Sequence, residues 1–223
     1  MADDKQIRTE EEKELIINAR KPKGELGDKL LDRMNESHES LARWGVNHLD
    51  ISKDDVILDI GCGGGVNVEI FLKMTDNKVY GLDYSETAVQ KSIELNRNAI
   101  DEGRCEIIQA SVSDLPFDDE RFDIITGFET VYFWPDFIND SKEVRRVLKE
   151  GGIFFICNEA IPNDDDERQR ELIDLLDMKI FSKEEFNHYL FEAGFSDVKC
   201  FMEDGEDSLT KELCSWICVI AKK

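Results

Sequence analysis

Short apolar runs alternate with longer amphipathic stretches along most of this 223-residue chain. The clearest run, Val56-Ile57-Leu58-Asp59-Ile60, is bounded by polar residues and is typical of a strand buried on both faces of a parallel sheet. Similar runs predict strands at 78–82, 105–110, 122–126 and 152–157, and the stretches between them predict helices at 85–98 and 136–149. This alternation favours a parallel sheet with right-handed crossovers.

The last part of the chain departs from this alternation. Ser182-Lys183-Glu184-Glu185 has the sequence of a capping box and opens a predicted helix that ends at Gly194. Strands predicted at 198–202 and 213–221 are joined by the short polar loop 203–212. Because the loop is short, we expect these two strands to form an antiparallel pair.

Helices are also predicted at the amino terminus. Residues 1–20 are highly charged around one apolar cluster, and residues 21–27 carry a proline and two glycines, which predict a break. Apolar positions at helical spacing within 28–49 predict one or two amphipathic helices laid across the domain. We expect residues 1–50 to form a helical cap segment and 51–223 the main domain, together making one compact domain.

One more helix is expected between the strands. The charged run 163–171 continues into 172–178, which predicts an inserted helix over the carboxyl edge of the sheet. The expected fold class is therefore α/β. It has a doubly wound, seven-stranded, mostly parallel sheet with an antiparallel last strand, amino-terminal helices and an inserted helix.

A glycine loop follows the first predicted strand. Gly61-Cys62-Gly63-Gly64-Gly65 lets the backbone turn sharply and approach a ligand closely, and the apolar stretch 66–72 predicts a helix whose amino end offers free N–H groups. This arrangement indicates a nucleotide-like ligand. The dinucleotide fingerprint needs a sixth-position glycine where Val66 stands, which disfavours NAD.

The motif Asp59-x-Gly61-x-Gly63-x-Gly65 resembles the first motif of the class I S-adenosylmethionine-dependent methyltransferases. Three more matches follow in order: Gly81-Leu82-Asp83-Tyr84-Ser85, then 109–125 with Leu115-Pro116-Phe117 at its centre, then Leu148-Lys149-Glu150-Gly151-Gly152. Together they cover residues 56–157. The matches depart from the family at Ser111, where an aspartate is usual, and at Glu150, where a proline is usual.

The resemblance implies S-adenosylmethionine as the cofactor, with S-adenosylhomocysteine as its product. The cofactor-binding residues it implies are Asp59, Gly61, Cys62, Gly63, Asp83, Tyr84, Ser111, Val112 and Phe128. Asp83 is expected to accept hydrogen bonds from the ribose hydroxyls, the alternative being a helix cap only. Tyr84 is expected to pack against adenine, and the Ser111 hydroxyl to replace the missing carboxylate.

The acceptor pocket is expected beyond the fourth and fifth strands and beneath the amino-terminal helices. Its predicted residues are Met34, Tyr132, Trp134 and Glu159, while Glu129 and His38 are the candidate catalytic bases. The alternative for Met34 and the aromatic residues is an ordinary place in the core. Thiol and amine acceptors need little base catalysis, so a dedicated catalytic residue is not required.

Composition narrows the partners. The formal net charge of −22, from 28 basic and 50 acidic residues, disfavours nucleic acid and anionic membrane surfaces. The amino terminus has no apolar signal core, no apolar stretch is long enough to span a bilayer, and the six cysteines are scattered. We therefore expect a cytoplasmic protein with reduced cysteines and no metal site.

These observations predict a methyltransferase that moves a methyl group from S-adenosylmethionine to a small-molecule acceptor. One alternative is a non-catalytic protein that binds the same cofactor, and a weaker one is an oxidoreductase that uses NAD or a nucleotide sugar. The acceptor, its attacking atom and the oligomeric state stay open.

Overall fold

The computed structural model describes residues 10–163, 166–206 and 213–223. The strands are β1 (Ile57–Ile60), β2 (Val79–Asp83), β3 (Cys105–Gln109), β4 (Phe122–Phe128), β5 (Leu148–Asn158), β6 (Ser196–Glu206) and β7 (Leu213–Lys222). The helices are α1 (Glu10–Arg20), α2 (Gly24–Ser37), α3 (Glu39–Val46), α4 (Val66–Met74), α5 (Glu86–Leu95), α6 (Arg97–Asp101), α7 (Phe137–Val147), α8 (Glu167–Leu176) and α9 (Lys183–Glu192). None of these helices combines the length and apolar character needed to cross a bilayer.

The strands form one seven-stranded sheet in the order β3-β2-β1-β4-β5-β7-β6. β1 pairs in parallel with both β2 and β4, and β7 runs antiparallel to both β5 and β6. The predicted fold class and the antiparallel final pair are confirmed. Strand order reverses between β1 and β4, and ligands of such sheets bind outside the carboxyl ends of the strands at that point.

β1 is buried throughout and, apart from Asp59, apolar, because helices cover both faces of the sheet. Leu58 and Ile60 pack in one apolar cluster and Ile57 in another, as the alternation of side chains along a strand requires. All four β1 residues are buried, including Asp59, which is 1% exposed. A carboxyl group at that depth needs a specific partner.

Both predicted helix starts are confirmed. The Ser85 hydroxyl accepts a hydrogen bond from the Ala88 N–H at 3.2 Å at the start of α5. At the start of α9, Ser182 accepts from the Glu185 N–H at 3.2 Å, and Glu185 accepts from the Ser182 N–H at 2.8 Å. This reciprocal pair is the capping box.

The prediction of one helix over 85–98 was wrong, since α5 ends at Leu95 and α6 begins at Arg97. Between them, the buried Asn96 amide donates to the carbonyl oxygens of Gly65 at 3.1 Å and Ser92 at 3.0 Å. Asparagine side chains that bond to the backbone compete with helical geometry. Asn96 thereby breaks the helix and ties it to the glycine loop.

The predicted break over 21–27 was too long, because α2 begins at Gly24 and leaves only residues 21–23 as a connection. Gly24 adopts φ of 59°, whereas Gly27 is helical and buried. A Cβ at Gly27 would lie 2.7 Å from the Pro22 carbonyl carbon. These glycines permit a close fold of the chain rather than a loop.

The predicted helical region 28–49 contains α2 and α3, which meet at His38. α2 packs on α5, α1 on both α2 and α8, and α3 against β5. Parts of three other predicted segments, namely 1–9, 164–165 and 207–212, lie outside the described residues.

We expect Gly27→Ala to destabilise the protein. Helix propensity alone predicts a gain of about 1 kcal/mol, but the contact with the Pro22 backbone forces a shift that costs about 1 to 3 kcal/mol. Urea unfolding of both proteins measures the difference. A variant more stable than the wild type would contradict this account of the connection between α1 and α2.

Candidate active site

The glycine loop turns from β1 into α4 through backbone conformations that favour glycine. Gly61, Gly63 and Gly65 have φ values of 72°, 52° and 86°. Gly65 is the N-cap of α4, and no described side chain caps that helix. The amino end of α4 therefore presents backbone N–H groups at the edge of the sheet.

The loop is also enclosed so closely that most of its glycines have no room for a Cβ. A Cβ at Gly61 would lie 2.2 Å from the Thr130 hydroxyl, and one at Gly64 would lie 2.5 Å from the Asn35 amide. At Gly63 the nearest atom, on Leu31, is 3.7 Å away. The loop is thus held between α2 and the segment after β4, with Gly63 the least crowded of these glycines.

Asp83 lies at the carboxyl end of β2 and is 7% exposed. One carboxylate oxygen accepts the Gly63 N–H at 3.0 Å and the other accepts the Ser85 N–H at 2.8 Å. Burial raises the pKa of Asp83, while these hydrogen bonds oppose the rise. Asp83 therefore joins the glycine loop to the start of α5, and its remaining lone pairs can accept further hydrogen bonds.

Asp59 and Cys62 lie deeper. The Thr126 hydroxyl donates to one Asp59 oxygen at 2.7 Å, and no described residue bonds to the other. Burial raises the pKa of Asp59 from 3.8 to about 7, against the Thr126 hydrogen bond. Burial also raises the pKa of the Cys62 thiol well above its usual range, so this cysteine is a neutral, packed side chain.

Tyr84 follows Asp83 and faces the connection between α1 and α2. Its hydroxyl donates to the Arg20 carbonyl oxygen, and the Lys21 ammonium lies 4.8 Å from its ring centroid. Arg20 in turn pairs with Asp177, just past α8, at 2.8 Å. The amino-terminal helices thereby reach the position predicted for adenine.

The third motif places Ser111 and Val112 just after β3. Ser111 is exposed and its hydroxyl accepts the Ser113 N–H at 3.2 Å, whereas Val112 is buried. The Ser111 hydroxyl oxygen accepts one hydrogen bond within the loop and has a second lone pair, which is compatible with the predicted contact to an adenine amino group.

The aromatic run after β4 divides between core and cavity. Tyr132 is buried with its hydroxyl on Glu129, and Trp134 stacks on Phe154 with ring centroids 5.8 Å apart. Phe128 packs against Phe155 at 5.4 Å. The core alternative accordingly describes Tyr132 fully and Trp134 in large part.

His38, Glu129 and Glu159 converge from three segments. Each offers one nitrogen or oxygen atom that lies within 4.8 Å of the other two. The Tyr132 hydroxyl donates to Glu129 at 2.5 Å, and the Glu159 N–H donates to the other Glu129 oxygen at 2.6 Å. Glu129 adopts φ of 53°, which is strained for a residue other than glycine and is typical of functional positions.

A cavity of about 230 Å³ joins these features. Most of the predicted site residues line it: Met34, His38, Gly61, Cys62, Gly63, Asp83, Tyr84, Ser111, Val112, Phe128, Glu129 and Trp134. Asp59, Tyr132 and Glu159 do not. Asp59 lies on β1, just before the glycine loop. The Tyr132 hydroxyl and the Glu159 N–H donate hydrogen bonds to Glu129, which does line the cavity.

Asn35, Thr130 and Phe133 also line the cavity, in addition to the residues predicted for it above. Residues 131–133 form one 3₁₀ turn, in which side chains three apart share a face. Thr130 and Phe133 therefore face the cavity together.

Comparison with known proteins identifies the domain type. The family model described as a methyltransferase domain matches residues 58–156. Sterol 4-C-methyltransferase strm-1 of Caenorhabditis elegans is 31% identical over 146 residues, covering 65% of this chain and 42% of that protein. Residues 58–156 therefore correspond to a methyltransferase domain.

Solved structures agree on the fold of this methyltransferase domain. A SAM-dependent methyltransferase from Aquifex aeolicus has a TM-score of 0.68 at 20% identity, with 87% of this chain and 97% of that chain covered. Haemonchus contortus phosphoethanolamine N-methyltransferase 2, solved with phosphomonomethylethanolamine and S-adenosylhomocysteine, has a TM-score of 0.76 at 13% identity, with 93% and 59% covered. By contrast, the chain spans only 29 to 42% of the length of five sterol and cycloartenol methyltransferases that it matches.

S-adenosylmethionine is the cofactor that the sequence resemblance implies, and the residues present fit it. Gly63 leaves space where a side chain would intrude, and the Asp83 carboxylate lines the cavity with acceptor capacity for ribose hydroxyls. The side chains of Val112 and Phe128 give the cavity an apolar surface that suits the adenine ring.

We expect Asp83→Ala to weaken S-adenosylhomocysteine binding by about 1.5 to 3 kcal/mol, because hydrogen bonds to a charged group are lost. Asp118→Ala, at an exposed loop position, is the matched control and should bind like the wild type. Calorimetry measures both affinities. Unchanged affinity in a folded Asp83→Ala protein would leave Asp83 as a structural link between loop and helix only.

The raised pKa of Asp59 also predicts a pH dependence. Stability contributed by the protonated form is full below pH 3.8 and is lost as the pH rises to about 7. Asp59→Asn removes this loss and keeps an acceptor for the Thr126 hydroxyl. Between about pH 5.5 and pH 8 the variant should gain about 2 kcal/mol relative to the wild type, measured by urea unfolding without cofactor. Parallel profiles would contradict the buried, protonated carboxyl group.

Proposed function

We propose that the protein transfers a methyl group from S-adenosylmethionine to a small-molecule acceptor. The observation that carries this proposal is one cavity that Gly63 and Asp83 line together with His38 and Glu129. A donor held by the first pair would share the cavity with the second. Proximity and orientation account for much of the rate of such a transfer.

S-adenosylmethionine supplies a methyl group on a positively charged sulfur, which an acceptor atom displaces in line. The chain's own residues then have two tasks, to orient the acceptor and to receive its proton. Hydrogen bonds from the Tyr132 hydroxyl and the Glu159 N–H hold the Glu129 carboxylate in place. Glu129 directly follows β4, and its strained backbone, with φ of 53°, sets the direction of its side chain. Glu129 and His38 are the groups that we propose as proton acceptors.

The acceptor side combines apolar rings with carboxylates. Phe128, Phe133 and Trp134 line the cavity, and Met34 covers it from α2. Tyr132 and Glu159 support the pocket through Glu129 rather than forming its wall. This lining suits a small organic acceptor, and relatives named for sterol and phosphoethanolamine methylation support that class.

The net charge and the cysteines support the proposed partners and cellular location. A net charge of −22 is unfavourable for a nucleic-acid or anionic membrane partner. No disulfide joins the six cysteines, all of which lie in the described residues, although Cys157 and Cys218 are register partners on β5 and β7. We propose a cytoplasmic enzyme with reduced cysteines.

Ligand-induced stabilisation tests the cofactor assignment. S-adenosylhomocysteine at about 100 times its Kd should stabilise the protein by about 2.7 kcal/mol, a rise in Tm of about 5 to 10 °C. NAD should produce no rise, because the glycine spacing does not fit it. Equal stabilisation by NAD would favour the oxidoreductase alternative.

Turnover requires a separate experiment. The protein is incubated with methyl-labelled S-adenosylmethionine and fractionated small-molecule extracts, and label is followed into products. We expect transfer that is lost in Asp83→Ala and kept in Asp118→Ala. A protein that binds S-adenosylhomocysteine and labels no fraction would support the non-catalytic alternative.

A further inference from the structure

Three potential metal ligands meet at the carboxyl edge of the sheet. His38 comes from the junction of α2 and α3, Glu129 from the end of β4, and Glu159 from the end of β5. All three are half-buried. An imidazole with two carboxylates is a ligand set that divalent transition metals accept.

The distances suit one ion. The His38 Nε2 atom lies 3.9 Å from a Glu159 carboxylate oxygen, and the ligand atoms of all three residues lie within 4.8 Å of one another. Ligands about 2.1 Å from a common ion lie about 3 to 4 Å apart, so small side-chain rotations complete the set. Three protein ligands also leave coordination positions open, which is the arrangement of reactive rather than structural sites.

The surroundings orient these ligands. The Tyr132 hydroxyl and the Glu159 N–H fix Glu129 through one hydrogen bond to each oxygen. Hydrogen bonds of this kind to a ligating carboxylate are a regular feature of metal sites.

Electrostatics favours a cation at the same place. Glu129 and Glu159 hold their carboxylates close together in a half-buried region, where water screens their repulsion less than at the surface. A single imidazolium offsets one negative charge at most, whereas a divalent ion offsets both. The ion would thereby stabilise the convergence of the three segments.

We propose that His38, Glu129 and Glu159 bind a divalent metal ion beside the acceptor cavity. His38 and Glu129 line the cavity, so the open coordination positions face an acceptor there. The class of acceptor that fits carries a hydroxyl, enol or carboxylate oxygen able to bind the ion. With the ion bound, His38 and Glu129 serve as its ligands, and the ion would replace them as proton acceptors by lowering the pKa of the bound acceptor. This role rests on the proposed methyl transfer, whereas binding of the metal does not. The site departs from the sequence expectation of no metal, because spacing along the chain does not reveal a cluster assembled from three separate elements.

The test is titration of the protein with Mn²⁺, in which binding is measured as the loss of the free-ion signal in electron paramagnetic resonance. We expect one equivalent of tightly bound Mn²⁺ in the wild type. His38→Ala and Glu159→Gln should each weaken that binding at least about tenfold. Calorimetry with S-adenosylhomocysteine on the same samples checks that cofactor binding is retained and keeps the two proposals separable.

The chain supplies a matched control. His188 and Glu192 on α9 also place an imidazole nitrogen 3.9 Å from a carboxylate oxygen, but both are exposed and the described residues offer them no third ligand. His188→Ala and Glu192→Gln should leave Mn²⁺ binding unchanged. Absence of bound Mn²⁺ in the wild type at about 1 mM, or equal losses in the control pair, would overturn the proposal. If His38→Ala fails to fold, the nearly isosteric Glu159→Gln decides alone.

Discussion

The site depends on how closely other parts of the chain approach the glycine loop. Thr130 stands behind Gly61, Asn35 lies against Gly64, and Ser92 lies against Gly65, each at a distance that a side chain on the loop would violate. Protein interiors tolerate little change of volume, so these contacts fix the loop relative to α2, α5 and the segment after β4. Asp83 and Asn96 add hydrogen bonds to the same loop. The cofactor edge is therefore preformed by packing.

The proposed donor and acceptor ends of the cavity differ in the interactions that they offer a ligand. The donor end relies on backbone N–H groups and the buried Asp83, whose charge is costly and is offset by the hydrogen bonds it accepts. The proposed acceptor end is lined by Glu129, His38 and aromatic rings, with the Glu159 carboxylate nearby, which makes it both negative and apolar. The family model matches residues 58–156, and His38 and Glu159 lie outside that match. Acceptor choice is thus proposed to reside largely in the parts of the chain that surround the shared domain.

Local signals along the chain predicted the elements that carry strong sequence marks, such as the buried strand β1 and the Ser182–Glu185 capping box. They failed where a tertiary contact decides the backbone. Asn96 ends α5 because its amide bonds to the glycine loop, and Gly27 is helical because it packs on Pro22. Most of the residues predicted to bind the donor line the cavity, since they follow strand ends in order, and their binding role stays a prediction. The sequence could not predict that Phe133 rather than Tyr132 faces the cavity, because the 3₁₀ turn and the hydrogen bond to Glu129 arise only in the folded chain.

Amide hydrogen exchange with and without S-adenosylhomocysteine tests the central claim most directly, because it reports on backbone N–H groups and does not require a known acceptor. If the loop between α2 and Thr130 holds the cofactor, ligand binding should slow exchange at residues 61–66 and along the cavity face of α2 around Met34 and His38. Exchange at the distant β6 should not change. Protection confined to other parts of the chain, in a protein that binds S-adenosylhomocysteine, would contradict the assignment of this cavity.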